Sequence, residues 1–189
     1  MPGTPLDLQP TLVGDIVTLR PLRVGDWDAL FAVAADPAIW ALHPAHDRWQ
    51  EPVFRTFFAE ALASGGALVA LDPASGVMIG ASRYGTARAG PREVEIGWTF
   101  LARAHWGGTF NRAMKTLMIG HALAAFDRVI FLVGDTNLRS RRALEKIGAV
   151  LTERIEHNVL AGGPVRHVVY AIDRAGSAAG PLYSDWPMS

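Results

Sequence analysis

The chain has 189 residues and a mass of 20.4 kDa, a length that suits one domain. Hydrophobic residues make up 50% of the sequence and charged residues 19%, which argues against extensive disorder. The 18 lysines and arginines are balanced by 18 aspartates and glutamates, so the basic excess of a nucleic-acid-binding protein is missing and no nucleic-acid partner is expected. The absence of cysteine excludes disulfides, thiolate metal sites and cysteine nucleophiles.

The sequence predicts no targeting or membrane-spanning segment. Residues 1–15 contain no basic stretch followed by an apolar run, so no signal peptide is expected. The longest apolar region, residues 117–133, is interrupted by His121, Asp127 and Arg128 and falls short of the roughly 20 apolar residues that a membrane span needs. We therefore expect a cytoplasmic protein with no membrane partner.

The first half of the sequence predicts a strand, two helices and then a β-rich region. Residues 16–20 alternate in polarity and predict the strand. Asp26 is a suitable N-cap for the first helix, and a second helix is expected over residues 51–63. Two further strands, over residues 67–72 and 77–85, flank a turn and predict a hairpin.

The next strand, over residues 92–101, has a period of two in its polarity. One set of alternate positions is apolar and the other is acidic or small: Val94, Ile96, Trp98 and Phe100 against Glu93, Glu95, Gly97 and Thr99. Side chains of a strand alternate between the two faces of a sheet. The alternation therefore predicts that Glu95 faces away from the whole apolar set.

The second half alternates helices and strands. Apolar residues at helical spacing follow a Gly-rich turn and predict a helix over residues 110–126. Residues 129–134 are continuously apolar, which suits a strand buried on both faces. A short helix is expected within residues 136–149, and two strands, over residues 150–156 and 165–172, complete the pattern.

The resulting order, β-α-α-β-β-β-α-β-α-β-β, predicts one α/β domain around a mixed sheet with helices on both faces. No repeat or linker divides the chain. We expect residues 12–174 to form this domain and residues 175–189 to form a mobile carboxy-terminal tail.

The Gly-rich turn at residues 106–111 has the composition of an anion site. Backbone N–H groups at a helix start have no partner inside the helix, and the helix dipole favours a negative charge there. Gly107 and Gly108 would allow a ligand to approach the backbone closely. The turn therefore suggests a cradle for a phosphate or pyrophosphate, with an unliganded strand-to-helix turn as the alternative. Neither a P-loop nor a dinucleotide fingerprint is present.

A second polar helix start follows the next strand. Asn137 and Ser140 are three residues apart and so lie roughly on one helix face. Two such helix starts after neighbouring strands can form one cleft, in which the first holds phosphates and the second contacts the rest of the ligand. The alternatives are that Asn137 only caps its helix and that Ser140 bonds its own helix backbone.

These segments resemble the GCN5-related N-acetyltransferases, and most of all the branch that acetylates the N-termini of ribosomal proteins. The resemblance rests on the following stretches: HWGGTFN, NLRSRRALEKIGA, the opening IVTLRPLRVGDWDALFAVAAD, and EVEIGWTF. It implies a mixed, mostly antiparallel sheet with a splayed central strand pair. It also implies acetyl-CoA as co-substrate and a primary amine as acceptor, either a small molecule or a protein N-terminus, which attacks the thioester directly.

The resemblance also implies roles for individual residues. Cofactor binding is expected at Trp106, Gly107, Gly108, Thr109, Phe110, Asn111, Arg112 and Asn137. Glu95 is expected to accept the proton of the amine, directly or through water, with Glu93 as the alternate; pairing of either carboxylate with Arg83 or Arg92 is the structural alternative. Ser140 is expected to stabilise the leaving thiolate by a hydrogen bond.

Some alternatives stay open at this point. Arg112 and Lys115 could meet the phosphates or form a solvated basic face. The tyrosine that many family members use as general acid is absent from residues 129–149, which leaves a non-catalytic acyl-CoA-binding or sensor module as the alternative function. No metal is expected, because the six histidines lack ligand spacing. The acceptor, the acyl chain length and a homodimer are left undecided.

Overall fold

The computed structural model describes residues 6–177 and 180–182. Eight strands form one sheet: β1 (Leu12–Val13), β2 (Thr18–Pro21), β3 (Ala67–Leu71), β4 (Met78–Gly85), β5 (Glu93–Leu101), β6 (Arg128–Gly134), β7 (Val150–Leu160) and β8 (Gly163–Asp173). The helices are α1 (Trp27–Ala34), α2 (Pro37–Trp40), α3 (Glu51–Ala63), α4 (Thr109–Leu123), α5 (Leu138–Lys146) and α6 (Arg174–Ser177). Two short 3₁₀ turns precede α1 and α4. Within the described residues, no helix is long and apolar enough to cross a bilayer.

The sheet has the strand order β1-β2-β3-β4-β5-β6-β8-β7. All neighbouring strands are antiparallel except the central pair, β5 and β6, which is parallel. This pair is joined only where residues 93–95 face residues 128–130, so the two strands separate before their carboxyl ends. The predicted mixed, mostly antiparallel sheet with a splayed central pair is confirmed.

Each face of the sheet carries its own apolar core. The first core lies under α4 and α5 and includes Val94, Ile96, Met114, Met118 and Leu144. The second core lies under α1 and α3 and includes Leu30, Phe54, Phe57, Phe58 and Phe100. Helices therefore cover both faces, as predicted.

A bulge interrupts β5 in its carboxyl-terminal half. The register places Trp98 and Thr99 together opposite the single residue Ser82 of β4. Trp98 has a φ of 52°, in the left-handed region that residues other than glycine rarely adopt. Bulges of this kind bend a strand and redirect its side chains.

The bulge reverses the alternation of β5. Val94 and Ile96 belong to the first core, whereas Trp98 and Phe100 pack in the second. The prediction that all of these apolar residues share one face is therefore wrong beyond Gly97. The extra residue of the bulge moves every later side chain of the strand to the opposite face of the sheet.

Part of the predicted tail packs on the domain. Residues Arg174–Ser177 form α6, and Leu182 is buried in the first core. A Cβ at Gly148, where φ is 87°, would lie 2.6 Å from Cδ of Pro181, so the end of α5 and this segment touch. The remaining residues of the predicted tail lie outside the described part of the chain.

Candidate functional site

The turn before α4 presents unpaired backbone donors. Gly108 is the N-cap of α4 and has a φ of 118°, and Gly107 before it has a φ of 104°. The backbone N–H groups of residues 107–111 find no acceptor among the described residues; the first intrahelical bond is from Arg112 N to Gly108 O, 2.8 Å. A Cβ at either glycine would meet no atom within 4 Å. The turn is therefore an open cradle of N–H groups, suited to an anion.

The start of α5 is built around Asn137. This side chain is 2% exposed, and its Oδ1 accepts a hydrogen bond from Ser140 N at 3.2 Å, so the capping role is present. The Ser140 hydroxyl makes no hydrogen bond within the described residues. It does not bond its own helix backbone, and it is free to serve a ligand.

A cation–π contact joins the two helix starts. The guanidinium carbon of Arg139, in the first turn of α5, lies 4.2 Å from the ring centroid of Trp106. Trp106 is fixed by a bond from its Nε1 to the Leu101 carbonyl, 2.9 Å, and Arg139 bonds the Ile39 carbonyl, 2.9 Å. Sequence reasoning missed Arg139, because its neighbours Arg141 and Arg142 suggest only a solvated face.

The remaining residues of the turn have separate surroundings. Phe110 packs edge-on against the His105 ring, with centroids 4.6 Å apart, and Thr109 is exposed. The guanidinium of Arg112 donates a hydrogen bond to the Pro181 carbonyl. The predicted phosphate contact of Arg112 stays a prediction.

Glu95 is a buried carboxylate at the amino-terminal end of β5. Its side chain is 2% exposed, and it accepts two hydrogen bonds from Arg88, from Nε at 3.0 Å and from NH2 at 2.5 Å. A Cβ at Gly97 would lie 2.9 Å from Glu95 Oε1, so this glycine makes room for the carboxylate. Burial raises the pKa of Glu95, against the opposing charge of Arg88. A carboxylate with a raised pKa holds a proton more strongly than an ordinary one and so is a better proton acceptor.

The partners differ from those that the sequence suggested. Glu95 pairs with Arg88 rather than with Arg83 or Arg92, and Arg92 forms an ion pair with Asp127 instead. A loop between β4 and β5 brings Arg88 back over the strand, which spacing alone does not reveal.

Glu93, the alternate base, is held in a structural network. Its Oε2 accepts from the Gly90 backbone N–H at 2.8 Å, and it forms ion pairs with Arg128 at 3.5 Å and Arg154 at 3.4 Å. These bonds tie the loop before β5 to β6 and β7.

Lys115 is buried rather than solvated. Its side chain on α4 reaches the bulge of β5, where Nζ lies 2.7 Å from Thr99 Oγ1 and 3.4 Å from Ser82 Oγ. The residue is 4% exposed, and burial lowers the pKa of its amine to about 7. The reading of Lys115 as part of a solvated basic face is wrong, because the helix turns this position toward the sheet.

The described residues contain no cluster of histidine, aspartate and glutamate that could hold a metal ion. The polar groups near the splayed strands are instead N–H and hydroxyl donors, one paired carboxylate and cationic side chains. This set suits binding of an anionic ligand together with proton transfer.

The model of the acetyltransferase (GNAT) domain family matches residues 17–150. This range includes the turn before α4 and the whole of α5. No curated protein matches the chain.

Solved structures share the fold. A GCN5-related N-acetyltransferase from Brucella melitensis is 20% identical, with a TM-score of 0.77 over 93% of this chain and 83% of that chain. The ribosomal-protein-S5-alanine acetyltransferase of Vibrio fischeri is 15% identical, with a TM-score of 0.65 over 88% and 97%. RimJ of Mycobacterium smegmatis, solved with CoA-disulfide, is 19% identical, with a TM-score of 0.63 over 92% and 90%.

Proposed function

Because the chain belongs to the GNAT acetyltransferase family, we propose that it transfers an acetyl group from acetyl-CoA to a primary amine. The observation that carries this proposal is the row of unpaired N–H groups at residues 107–111, beside the splayed strands β5 and β6. A pyrophosphate is one of the anions that such a helix start accommodates.

The residues present fit CoA. The open space at Gly107 and Gly108 leaves the N–H groups accessible, so residues 106–112 would hold the pyrophosphate. The amide of Asn137 would bond the pantetheine arm, because only its Oδ1 is used in the helix cap. Acetyl-CoA would supply an activated acyl group as a thioester.

Glu95 is the proposed proton acceptor. An amine acceptor is mostly protonated at neutral pH and attacks only after losing a proton. A carboxylate with a raised pKa, held in one orientation by Arg88, can attract the ammonium and take its proton directly or through water.

Ser140 is proposed to stabilise the leaving thiolate. Its free hydroxyl lies one helical turn from Asn137, so one helix start would contact both the arm and the sulfur. A hydroxyl is a weak acid, and a hydrogen bond that strengthens as charge develops on sulfur is the role that it can fill.

The acceptor belongs to the same proposal. A small-molecule amine and a protein N-terminus both fit a site built around one carboxylate. The Vibrio fischeri neighbour is named for its action on ribosomal protein S5. A cytoplasmic location and a homodimer stay predictions of the sequence.

Two measurements test the function. The first is the thermal stability of the full chain with CoA, since a ligand at 100 times its Kd adds about 2.7 kcal/mol to the free energy of unfolding. The second is release of free CoA from acetyl-CoA in the presence of a panel of amines and peptides. Binding with turnover supports the enzyme, and binding with no turnover across the panel supports the sensor module. No stabilisation by CoA would reject both.

A further inference from the structure

Arg83 on β4 is a buried cation that has no hydrogen-bond partner among the described residues. The residue is 7% exposed, and its Nε and NH2 atoms are fully enclosed with no acceptor in the described part of the chain. The adjoining cavity measures about 10 Å³, at the lower limit for one water. Buried guanidinium groups normally have their N–H groups paired, so this residue calls for an explanation.

Aromatic contacts account for only part of its surroundings. The guanidinium carbon of Arg83 lies 4.5 Å from the ring centroid of Trp98 and 5.5 Å from that of Phe57. Rings attract the face of a guanidinium group, whereas its N–H groups point outward in the plane and still need acceptors. Cation–π contacts therefore leave the hydrogen-bonding capacity of Arg83 unused.

A second arginine faces the same ring. The guanidinium carbon of Arg48, in the segment before α3, lies 4.5 Å from the Phe57 centroid and 5.7 Å from the Trp40 ring. Arg48 is half-buried and makes no hydrogen bond or ion pair within the described residues. Burial, and then the charge of Arg83, lowers its pKa to about 10. We call Arg48 and Arg83 the arginine pair.

The carboxylates near the arginine pair do not neutralise it. Glu60 on α3 acts on both arginines only at long range, and Glu95 is already bound by Arg88. Arg88, whose guanidinium carbon lies 4.9 Å from the Trp98 ring, and Glu95 neutralise each other, so among the described residues Arg48 and Arg83 are left without a paired carboxylate. This corner of the second core therefore has an excess of positive charge.

The arginine pair lies beside the proposed proton acceptor. Arg83 pairs with Gly97 in the β4–β5 register, and Gly97 is two residues from Glu95, so the two side chains are on one face of the sheet. Trp98, at the bulge, contacts Arg83, and its ring also lies against the position of Gly85 opposite Glu95. An acceptor whose amine reaches Glu95 could place a nearby anionic group at the arginine pair.

We propose that the acceptor carries a carboxylate close to its amine, and that Arg48 and Arg83 bind this carboxylate. The inference rests on the proposed function, since it assigns the acceptor class of that same site. The carboxylate would bond the half-buried guanidinium of Arg48 and would be attracted by the charge of Arg83, whose enclosed Nε and NH2 atoms it does not need to reach. It would thereby reduce the repulsion between the two arginines. The carboxylate can be that of a free amino acid or of an acidic residue near a peptide N-terminus.

The test uses probes without an amine, so that it does not depend on turnover. The full chain is titrated by ligand-observed NMR with N-acetylalanine and its amide. A second pair is the N-acetylated, carboxy-amidated dipeptide Ser-Asp and its Ser-Asn counterpart. In at least one pair we expect the carboxylate form to bind about tenfold or more tightly than the neutral form. The two pairs distinguish a free amino acid from a peptide.

Variants locate the effect. Arg83→Met and Arg48→Met should each reduce the preference to about twofold or less, and the half-buried Arg48 provides a variant whose folding is less at risk. Arg55→Met is the matched control, because Arg55 also stacks on an aromatic ring, 4.3 Å from the Trp27 centroid, but has Glu51 as partner. It should keep the preference.

The outcomes separate this inference from the function. The carboxylate site would be overturned if neither pair of probes showed tighter binding of the carboxylate form, or if that preference were unchanged in both arginine variants. This holds even if the protein acetylates neutral amines. A preference lost in the arginine variants supports it, whether or not acetyl-CoA is turned over. Absence of CoA binding would reject the proposed function alone.

Discussion

The guanidinium of Arg139 lies over the ring of Trp106, with 4.2 Å between the guanidinium carbon and the ring centroid. Trp106 belongs to the turn before α4, and Arg139 to the first turn of α5. One contact therefore holds together the two helix starts to which we assign the pyrophosphate and the pantetheine arm. It also explains why a single ligand could use both.

Replacement of Gly108 by valine should weaken CoA binding while the chain stays folded. A φ of 118° is unfavourable for any residue with a Cβ, and a side chain at this position would occupy open space at the turn. Calorimetric titration of CoA measures the effect, which we expect to be about tenfold or more. Gly162→Val is the matched control, since Gly162 also has a positive φ, 78°, and open space. Equal CoA affinity in both variants would remove the turn from the site.

Asn137→Ala should weaken CoA binding and also reduce stability, because it removes a helix cap that contributes about 1 kcal/mol. Asn137→Asp separates the two roles. It keeps an oxygen that can accept from Ser140 N but lacks the amide donor, so it should bind CoA poorly with nearly normal stability. If Asn137→Asp binds CoA as the natural chain does, Asn137 is only a cap.

Ser140→Ala should lower turnover more than it lowers CoA affinity. The hydroxyl makes no hydrogen bond to the described residues, so its loss leaves none of them unsatisfied. A hydrogen bond to a developing thiolate acts mainly in the transition state. A single-turnover measurement, in which chemistry limits the rate, gives the cleanest comparison. Normal single-turnover rates in this variant would exclude Ser140 from the mechanism.

The helices and strands other than β1, α2 and α6 could be predicted from the sequence, because their signals are local. The α3 helix has its expected bounds, with Pro52 in its first turn and Ser64 after its last. The separation of β5 and β6 was predicted only from the family resemblance, not from the residues of the two strands. The bulge at Trp98 could not be predicted, because it depends on how β5 registers against β4 rather than on its own polarity pattern.

The site was less predictable than the fold for the same reason. Glycines at a helix start are typical of an anion site, so the sequence alone predicts such a site at residues 107 and 108. The roles of Arg83, Arg88 and Lys115 depend on which residues the tertiary structure places opposite them. A single basic residue in a sequence does not distinguish a solvated position from a buried one.

Glu95→Gln should lower the acetylation rate and abolish its decline at acidic pH. A base acts only when deprotonated, and a raised pKa means that the rate falls as pH falls through that value. Arg88→Met provides a comparison, because loss of the guanidinium removes a charge that opposes the rise. It should move the decline to higher pH, as measured by kcat/KM with a verified acceptor. A Glu95→Gln enzyme with the original pH profile would assign the base elsewhere.

Lys115→Met should stabilise the protein at neutral pH. In the folded chain the pKa of Lys115 is about 7, because burial disfavours the ammonium, while the unfolded chain has the ordinary value of 10.5. Between these values the unfolded state binds a proton that the folded state does not. The free energy of unfolding therefore rises with pH across this window, and Lys115 lowers it most below pH 7.

Urea unfolding at pH 7 and pH 9 tests this linkage. The natural chain should gain stability between the two, on the order of 2 kcal/mol from this group, and Lys115→Met should lose that gain. Lys146→Met removes an exposed lysine from the end of α5 and should leave the pH dependence as it was. If Lys115→Met kept the full rise, the amine would have to be charged in the folded protein. Its bonds to Thr99 and Ser82 would then hold an ammonium rather than a neutral amine.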